Sequence, residues 1–448
     1  MYKFAYPRRN ILYLLVAFIT LMITTAVFSR PDAVAGSGRP DARGSRVDAS
    51  TLLGKHVVGY QGWFACEPTN RGLSGQWMHW FRNNEPAPQN LNVDLWPDTR
   101  EIDSSELCKT GLTYSDGTPA YLFSALNPKT VDRHFAWMKD YGIDGAAVQR
   151  FAVHLGNTNS HRRLDVVLQN ERAAAEKHGR VFFVMYDISG ADEKRVASDI
   201  LADWRRLTDV ERITDSPSYL RHRDKPLLAI WGLGFKDRPL GPDQARELIK
   251  ALQSGDGSPA VTVLGGVPSG WRTLTADSRP EPQWSRVYRM LDVISPWSVG
   301  RFGDDRGAEM FMRQRMIPDI AETSILNIDY MPVLFPGFSW HNLKGGATPI
   351  NQISRRCGLF YQAQASNALQ TGARMLYSAM FDEVDEGTAL FKVVPRHQDL
   401  PHGATLLALD ADGCSLESDS YLKMAGHISR DVHQSGAERV AIFGPMLR

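Results

Sequence analysis

Eight short apolar runs, most of them followed by a helix-patterned stretch, predict a (β/α)8 TIM barrel with a long insertion after strand 1 and a C-terminal appendage. Three observations carry this expectation. Strand-like and 3.6-periodic segments alternate through residues 51–390. The length of 448 residues exceeds one average domain but suits a barrel with insertions. An open doubly wound sheet is the competing architecture, yet no G-x-G-x-x-G follows a strand and no Walker loop occurs.

The first strand is expected at 56–60, running into Gln61-Gly62-Trp63-Phe64. An irregular insertion at 65–128 follows, dense in Trp, Pro, Gly and Asn. Helical periodicity begins at 129–141, with Val131, Phe135 and Met138 on one face. Strand and helix then alternate as 145–148 with 161–179, 181–186 with 193–207, and 227–231 with 242–253. The second half continues with 261–265 and 281–290, 292–297 and 307–323, 330–335 and 353–371, and 374–380 as the eighth strand. Pro332 weakens the seventh run, because proline has no N–H for a ladder, and the fifth and sixth helices are poorly patterned. Residues 391–448 are expected to be an extension packed on the barrel.

Composition narrows the partners. With 51 basic and 50 acidic residues, the net charge of +1 gives no electrostatic case for nucleic acid. Lys3, Arg8 and Arg9 precede an uncharged run over 11–28, followed by Ala33-Val34-Ala35. That pattern reads as a signal peptide or signal anchor over 1–35, with a flexible linker at 36–50. Either way the domain is exported, and any membrane contact is through this segment alone. Of the four cysteines, Cys66 and Cys108 share a segment and could pair, while Cys357 and Cys414 lie far apart from them in sequence; connectivity stays open. No C-x-x-C or H-E-x-x-H spacing supports zinc.

The chemistry concentrates at the C-terminal ends of the strands, where barrels carry their sites. Reading those ends in turn yields Tyr60, Gln61 and Trp63, then Gln149 and Arg150, Tyr186 and Asp187, Trp231, Trp297, Trp340 and His341. Tyr60, Trp63, Trp80, Gln149, Arg150, Tyr186, Trp231, Trp297 and Trp340 are the candidate substrate-binding residues. Trp77 and His79 could line a subsite, and Arg150 and Asp187 could simply pair with each other. The eighth strand runs into Asp382-Glu383-Val384-Asp385-Glu386, four carboxylates within five residues. Unpaired carboxylates are almost never buried, so an apolar strand ending this way needs a chemical reason. Two carboxylates beside an aromatic cleft are the equipment for glycoside hydrolysis, and mutual repulsion can separate their pKa values. Glu383 and Glu386 are the candidate catalytic pair, and both need a bend after Phe381 to face one substrate.

The run Glu383-Val384-Asp385-Glu386-Gly387 resembles the Glu-x-x-Glu-Gly motif of glycoside hydrolase family 99, the endo-α-mannosidases and endo-α-mannanases. The opening 59–64 resembles that family's first-strand motif, and the related family 71 α-1,3-glucanases share the barrel. The likeness spans 55–390. It implies a retaining hydrolase of α-mannoside-like linkages, with Glu383 as base toward the sugar's own 2-hydroxyl and Glu386 as acid/base. The intermediate would be a 1,2-anhydro sugar, which needs the 2-hydroxyl trans to the leaving group. Where the family places Asn and an aromatic beside the pair, this chain has Asp382 and Val384. That departure motivates the alternative of a carbohydrate-binding barrel without catalysis. A metal-dependent hydrolase using the acidic run is a third possibility, although no Asp-x-Asp-x-Asp-Gly loop supports calcium. The expected partner is an oligo- or polysaccharide, with no cofactor and no metal; nothing in the sequence sets the oligomeric state.

Overall fold

The parallel strands of the described residues form one continuous sheet. The structure, a computed structural model, describes residues 46–66 and 77–443, with side chains through 435, all within the compact unit Ala42–Arg448. The expected signal or anchor segment and most of the linker lie outside the described residues. Among the described residues, no helix is long and apolar enough to cross a membrane.

β1 (His56–Tyr60) is followed by an antiparallel hairpin, β2 (Leu107–Thr113) and β3 (Pro119–Phe123), and then by α1 (Pro128–Tyr141). β4 (Gly145–Phe151), α2 (Thr158–His178), β5 (Val181–Asp187) and α3 (Val196–Asp209) come next. The short β6 (Arg221–His222) pairs antiparallel with β7 (Lys225–Trp231), which leads to α4 (Pro242–Ser254). β8 (Thr262–Val267), α5 (Gln283–Tyr288), β9 (Val293–Pro296), α6 (Asp305–Phe311) and α7 (Ile317–Ile325) follow. The last elements are β10 (Asp329–Tyr330), β11 (Val333–Leu334), α8 (Leu359–Gln370), β12 (Leu376–Ser378) and α9 (Ser420–Phe443). Asn127 caps α1 by accepting from Lys129 N–H, Pro128 opens it, and Gly142 ends it at φ 80°, so local sequence sets both boundaries.

β10 and β11, the two ends of the sheet order, belong to one run, 329–334. The parallel sheet therefore returns on itself as a (β/α)8 barrel-like fold. Pro332 sits at the join. Met331 N–H donates to Ile294 of β9 at 2.9 Å, while Pro332 C=O accepts from Tyr377 of β12 at 3.0 Å. The chain changes partner at the residue that has no N–H to give, so this proline is compatible with the seventh stave.

Strand interiors are buried on both faces, as Val181–Tyr186 illustrates, because side chains alternate between barrel lumen and helical shell. Gly59 faces the lumen. A Cβ there would lie 2.1 Å from Tyr377 Oη and 2.2 Å from Met380 Cε. Gly59→Ala is accordingly expected to lose about 1–3 kcal/mol by overpacking, visible as a lowered Tm in thermal denaturation; an unchanged Tm would contradict this packing.

The insertion after β1 is tied down by the Cys66–Cys108 disulfide. It meets the chain beyond the barrel through bridges Leu95↔Leu407 and Pro97↔Val393. The chain passes residue 390 without leaving the core, since Leu390 and Phe391 are buried. A second disulfide, Cys357–Cys414, joins the start of α8 to this region. α9 packs on α1 and α8, and its Ser429 Oγ lies 3.1 Å from His56 Nδ1 at the start of β1.

Candidate active site

β12 ends at Ser378, and the next residues turn back over the mouth of the barrel. Phe381 N–H donates to Gly59 C=O at 2.7 Å, which holds the turn against β1. Thr388 and Ala389 N–H both donate to Glu383 C=O, at 3.1 and 2.9 Å, and close a loop over 383–388. Gly387 sits at φ 66°, where a Cβ would meet Ser339 N at 2.8 Å, so the motif glycine is needed for the bend. The chain therefore bends between Glu383 and Glu386, after Phe381.

Glu383 is buried and both its oxygens are occupied. Gln61 Nε2 donates to Oε1 at 2.5 Å and Thr388 Oγ1 donates to Oε2 at 2.5 Å. Gln61 is itself held by Asp382, whose carboxylate accepts the backbone N–H groups of Gln61 and Gly62 at 2.8 and 2.9 Å. Glu386 is half-buried, and its carboxyl makes no hydrogen bond to the described residues. Between them, Asp385 is buried, with Oδ2 3.2 Å from His79 Nδ1. His79 stacks on Trp63 with ring centroids 4.0 Å apart.

Electrostatics separates these acids from ordinary carboxylates. Burial, then the charges of Glu386 and Asp385, push Glu383 well above its usual range, against the pull of its two donors. Burial and then Asp385 push Glu386 up to about 7, with Lys344 and Arg238 opposing. Burial lifts Asp382 to about 7 despite its two backbone N–H bonds. Each raised carboxyl destabilises the fold as pH climbs from the ordinary carboxyl range through its folded value, because the native state keeps a proton that the unfolded chain has released.

Trp63, Trp231, Trp297 and Trp340, in or after strands β1, β7, β9 and β11, are all half-buried. Trp231 meets Trp297 edge-on with centroids 5.1 Å apart. Gln149 lies in the lumen, donating to Tyr377 Oη at 3.3 Å. Four other expected binding residues are elsewhere. Arg150 is 1% exposed and turns outward to the helices, its Nε 2.5 Å from Asp203 Oδ2 and its Nη2 2.7 Å from Asp165. Tyr186 donates to the same Asp203 at 2.7 Å. Arg150 follows lumen-facing Gln149 by one residue, and a strand points successive side chains to opposite faces. Trp80 is fully buried, donating to Phe123 C=O at 3.0 Å, and Tyr60 is fully buried with its hydroxyl 2.7 Å from His134 Nδ1 on α1. Nor do Arg150 and Asp187 pair; Asp187 accepts from Ser189 N–H at 2.7 Å.

Among the described residues, His161, Asp165 and Asp203 could geometrically hold a metal ion. Arg150 and Arg206 already occupy these carboxylates, Arg206 Nη2 reaching Asp165 at 2.7 Å and Asp203 at 3.1 Å, so the group is an ion-pair network. The residues missing from the sequence-based set are Gln61 as donor to Glu383, Thr388, Asp382, Lys344 and Arg238. Gln61 had a signal in its place beside Trp63; Thr388, Lys344 and Arg238 had none.

No family model and no curated protein matches the sequence. Solved structures do. The GH99 endo-alpha-mannosidase from Bacteroides thetaiotaomicron matches with a TM-score of 0.60 at 14% identity, over 86% of this chain and 100% of that one. Its complex with BIS-TRIS-Propane matches with a TM-score of 0.60 at 15% identity, over 87% and 100% of the two chains. A glycoside hydrolase-like protein matches with a TM-score of 0.52 at 12% identity, over 88% and 97%. This chain shares its fold with these proteins.

Proposed function

We propose that the chain is an exported, retaining glycoside hydrolase acting on α-mannoside-like linkages. The observation that carries this is the Glu383/Glu386 pair in the closed loop after β12, on a barrel whose strand ends hold several half-buried tryptophans. The two hydrogen bonds that Glu383 accepts pull it toward the ionised form a base needs, against burial and the charges of Glu386 and Asp385, which raise it. Glu386 is open to the cleft and lifted to about 7, which suits an acid working near neutrality. In the first step Glu383 takes the proton of the sugar 2-hydroxyl, O2 attacks C1, and the leaving oxygen departs with the proton of Glu386. In the second step water opens the 1,2-anhydro ring at C1, giving its proton to Glu386 while Glu383 returns the first proton to O2. Two displacements at C1 retain the configuration. The fold shared with an endo-alpha-mannosidase supports the linkage assignment, and the two disulfides together with the N-terminal pattern support export. The departure at Asp382 has a structural use in holding Gln61 against Glu383, which favours catalysis over a barrel that only binds.

The test is incubation of the purified chain with a panel of α-mannosides and other glycans, following the first-formed anomer by NMR. Initial release of the α-anomer supports the mechanism; inversion, or binding without release, sinks it. The pH profile adds a second check. Activity should fall as pH rises through about 7, where Glu386 loses its proton. Asp385→Asn removes a charge that raises Glu386 and should move that limb to lower pH, whereas Lys344→Met should move it to higher pH. Shifts in the same direction would contradict the assignment.

A further inference from the structure

Strand register at the mouth of the barrel singles out a carboxylate that the proposed chemistry does not use. β1, β4, β5 and β7 are successive neighbours in the sheet. Paired residues of parallel neighbours point to the same face. Gln149, Met185 and Ala229 therefore form one inward layer, and Phe151, Asp187 and Trp231 form the inward layer above it. Contacts bear out the lower layer, since Gln149 Nε2 lies 3.2 Å from Met185 Sδ and 3.3 Å from Tyr377 Oη. The upper layer continues into the loop after β1, where Phe151 stacks on Trp63 with ring centroids 5.1 Å apart. At its other end Trp231 leans over Gly266 of β8, where a Cβ would come 2.4 Å from the indole Cδ1.

Asp187 thus stands between Phe151 and Trp231 in the top layer of the lumen. It is half-buried, and its hydrogen bonds among the described residues come from Ser189 alone, the N–H donating to Oδ1 at 2.7 Å. An ionised carboxylate has room for about four donors, so acceptor capacity is left over. Gln61, which donates to Glu383, follows Tyr60 of β1, and Tyr60 pairs with Val148 of β4. Two strand spacings, roughly 10 Å, separate β1 from β5, so Asp187 lies across the mouth from the base. Buried atoms along these two layers lack partners among the described residues: the acceptors Gln61 Oε1 and Gln149 Oε1, and the donors Trp63 Nε1 and Trp231 Nε1. Buried polar groups left unmet are rare, and a mixture of donors and acceptors suits hydroxyl groups, which serve as both.

We propose that Asp187 is a specificity-determining residue, its carboxylate accepting hydroxyl hydrogen bonds from a sugar ring packed on Trp231. That ring neighbours the one on which Glu383 and Glu386 work. This rests on the saccharide reading of the site and assigns the residue that selects the adjoining ring. The indole face covers the apolar surface of the ring, while the carboxylate takes a hydroxyl at its edge. A site built around such a bond rejects a ring that lacks the hydroxyl, because the carboxylate is then desolvated without a donor.

The test is calorimetric titration of the full chain carrying Glu386→Gln, which slows turnover, with α-mannotriose and its monodeoxy derivatives. Adding Asp187→Ala should weaken mannotriose binding by about tenfold or more, as loss of a hydrogen bond to a charged group does. Asp187→Asn keeps an acceptor for Ser189 N–H and should lose less; it carries the same comparison if the alanine chain does not fold. Removing one particular hydroxyl from the ligand should cost the Asp187 chain about tenfold, and cost the Asp187→Ala chain nothing further. A role confined to the β5 loop weakens every ligand equally and shows no such coupling, which overturns the proposal. Unchanged binding in both variants overturns it too. Coupled binding with no hydrolysis by the unsubstituted chain leaves this proposal standing and removes the hydrolase reading. Absence of binding by mannotriose overturns both.

Discussion

Glu386→Gln is expected to lower kcat on an unactivated glycoside by roughly 10²–10⁴-fold, the usual contribution of a positioned general acid. The same variant should lose far less on an aryl glycoside with a weakly basic leaving group, because such an oxygen departs without a proton. Glu383→Gln should lose comparably on both substrates, since the base acts on the sugar and not on the leaving group. Glu386→Gln should also keep its fold, as the amide removes a carboxyl whose ionisation the buried site resists. The measurement is kcat and KM on the two substrate types for each variant. Equal loss by Glu386→Gln on both would remove it as the acid.

Asp203→Ala is expected to be the most damaging change away from the cleft. Burial works against the Asp203 charge, but hydrogen bonds from His161 and Arg150, with Arg150's charge, outweigh it and hold the carboxyl well below its usual range. A depressed carboxyl stabilises the fold above its unfolded pKa and loses that contribution as pH falls through its folded value. Removing Asp203 leaves Arg150, 1% exposed, with the half-buried Asp165 as its remaining counter-ion among the described residues. Breaking a buried pair from one side typically costs about 3–5 kcal/mol. Denaturant unfolding near neutral pH should show that loss, and Arg150→Met with Asp203→Leu should recover much of it. A substrate-binding role for Arg150 predicts instead a raised KM at unchanged stability, so the two outcomes separate cleanly.

Much of this site was legible from residue order. The acidic run after an apolar strand singled out Glu383 and Glu386 as the proposed pair, because a short strand end has no apolar use for four carboxylates. Tryptophan recurs in and after strand ends, and Trp63, Trp231, Trp297 and Trp340 are half-buried there rather than sealed in the core. Arg150 and Tyr186 lie at strand ends but point away from the lumen. Gln149 faces the lumen, so Arg150 faces the helices, and Tyr186 is its register partner on β5. Trp80 and Tyr60 are fully buried in the core. Large aromatics fill cores as readily as clefts, and only their surroundings decide which.

The stretch 382–387 shows where the boundary lies. Its sequence alone determined that carboxylates would gather at the eighth strand end, since strand order and residue type are local properties of the chain. Tertiary structure decided what each of them does. Asp382 turns back to hold the β1 loop, Glu383 is clamped by Gln61 and Thr388, and Glu386 is left open to the cleft. It also decided which cysteines join. These choices depend on contacts across tens to hundreds of residues, and side-chain spacing along one strand carries no information about partners that far away.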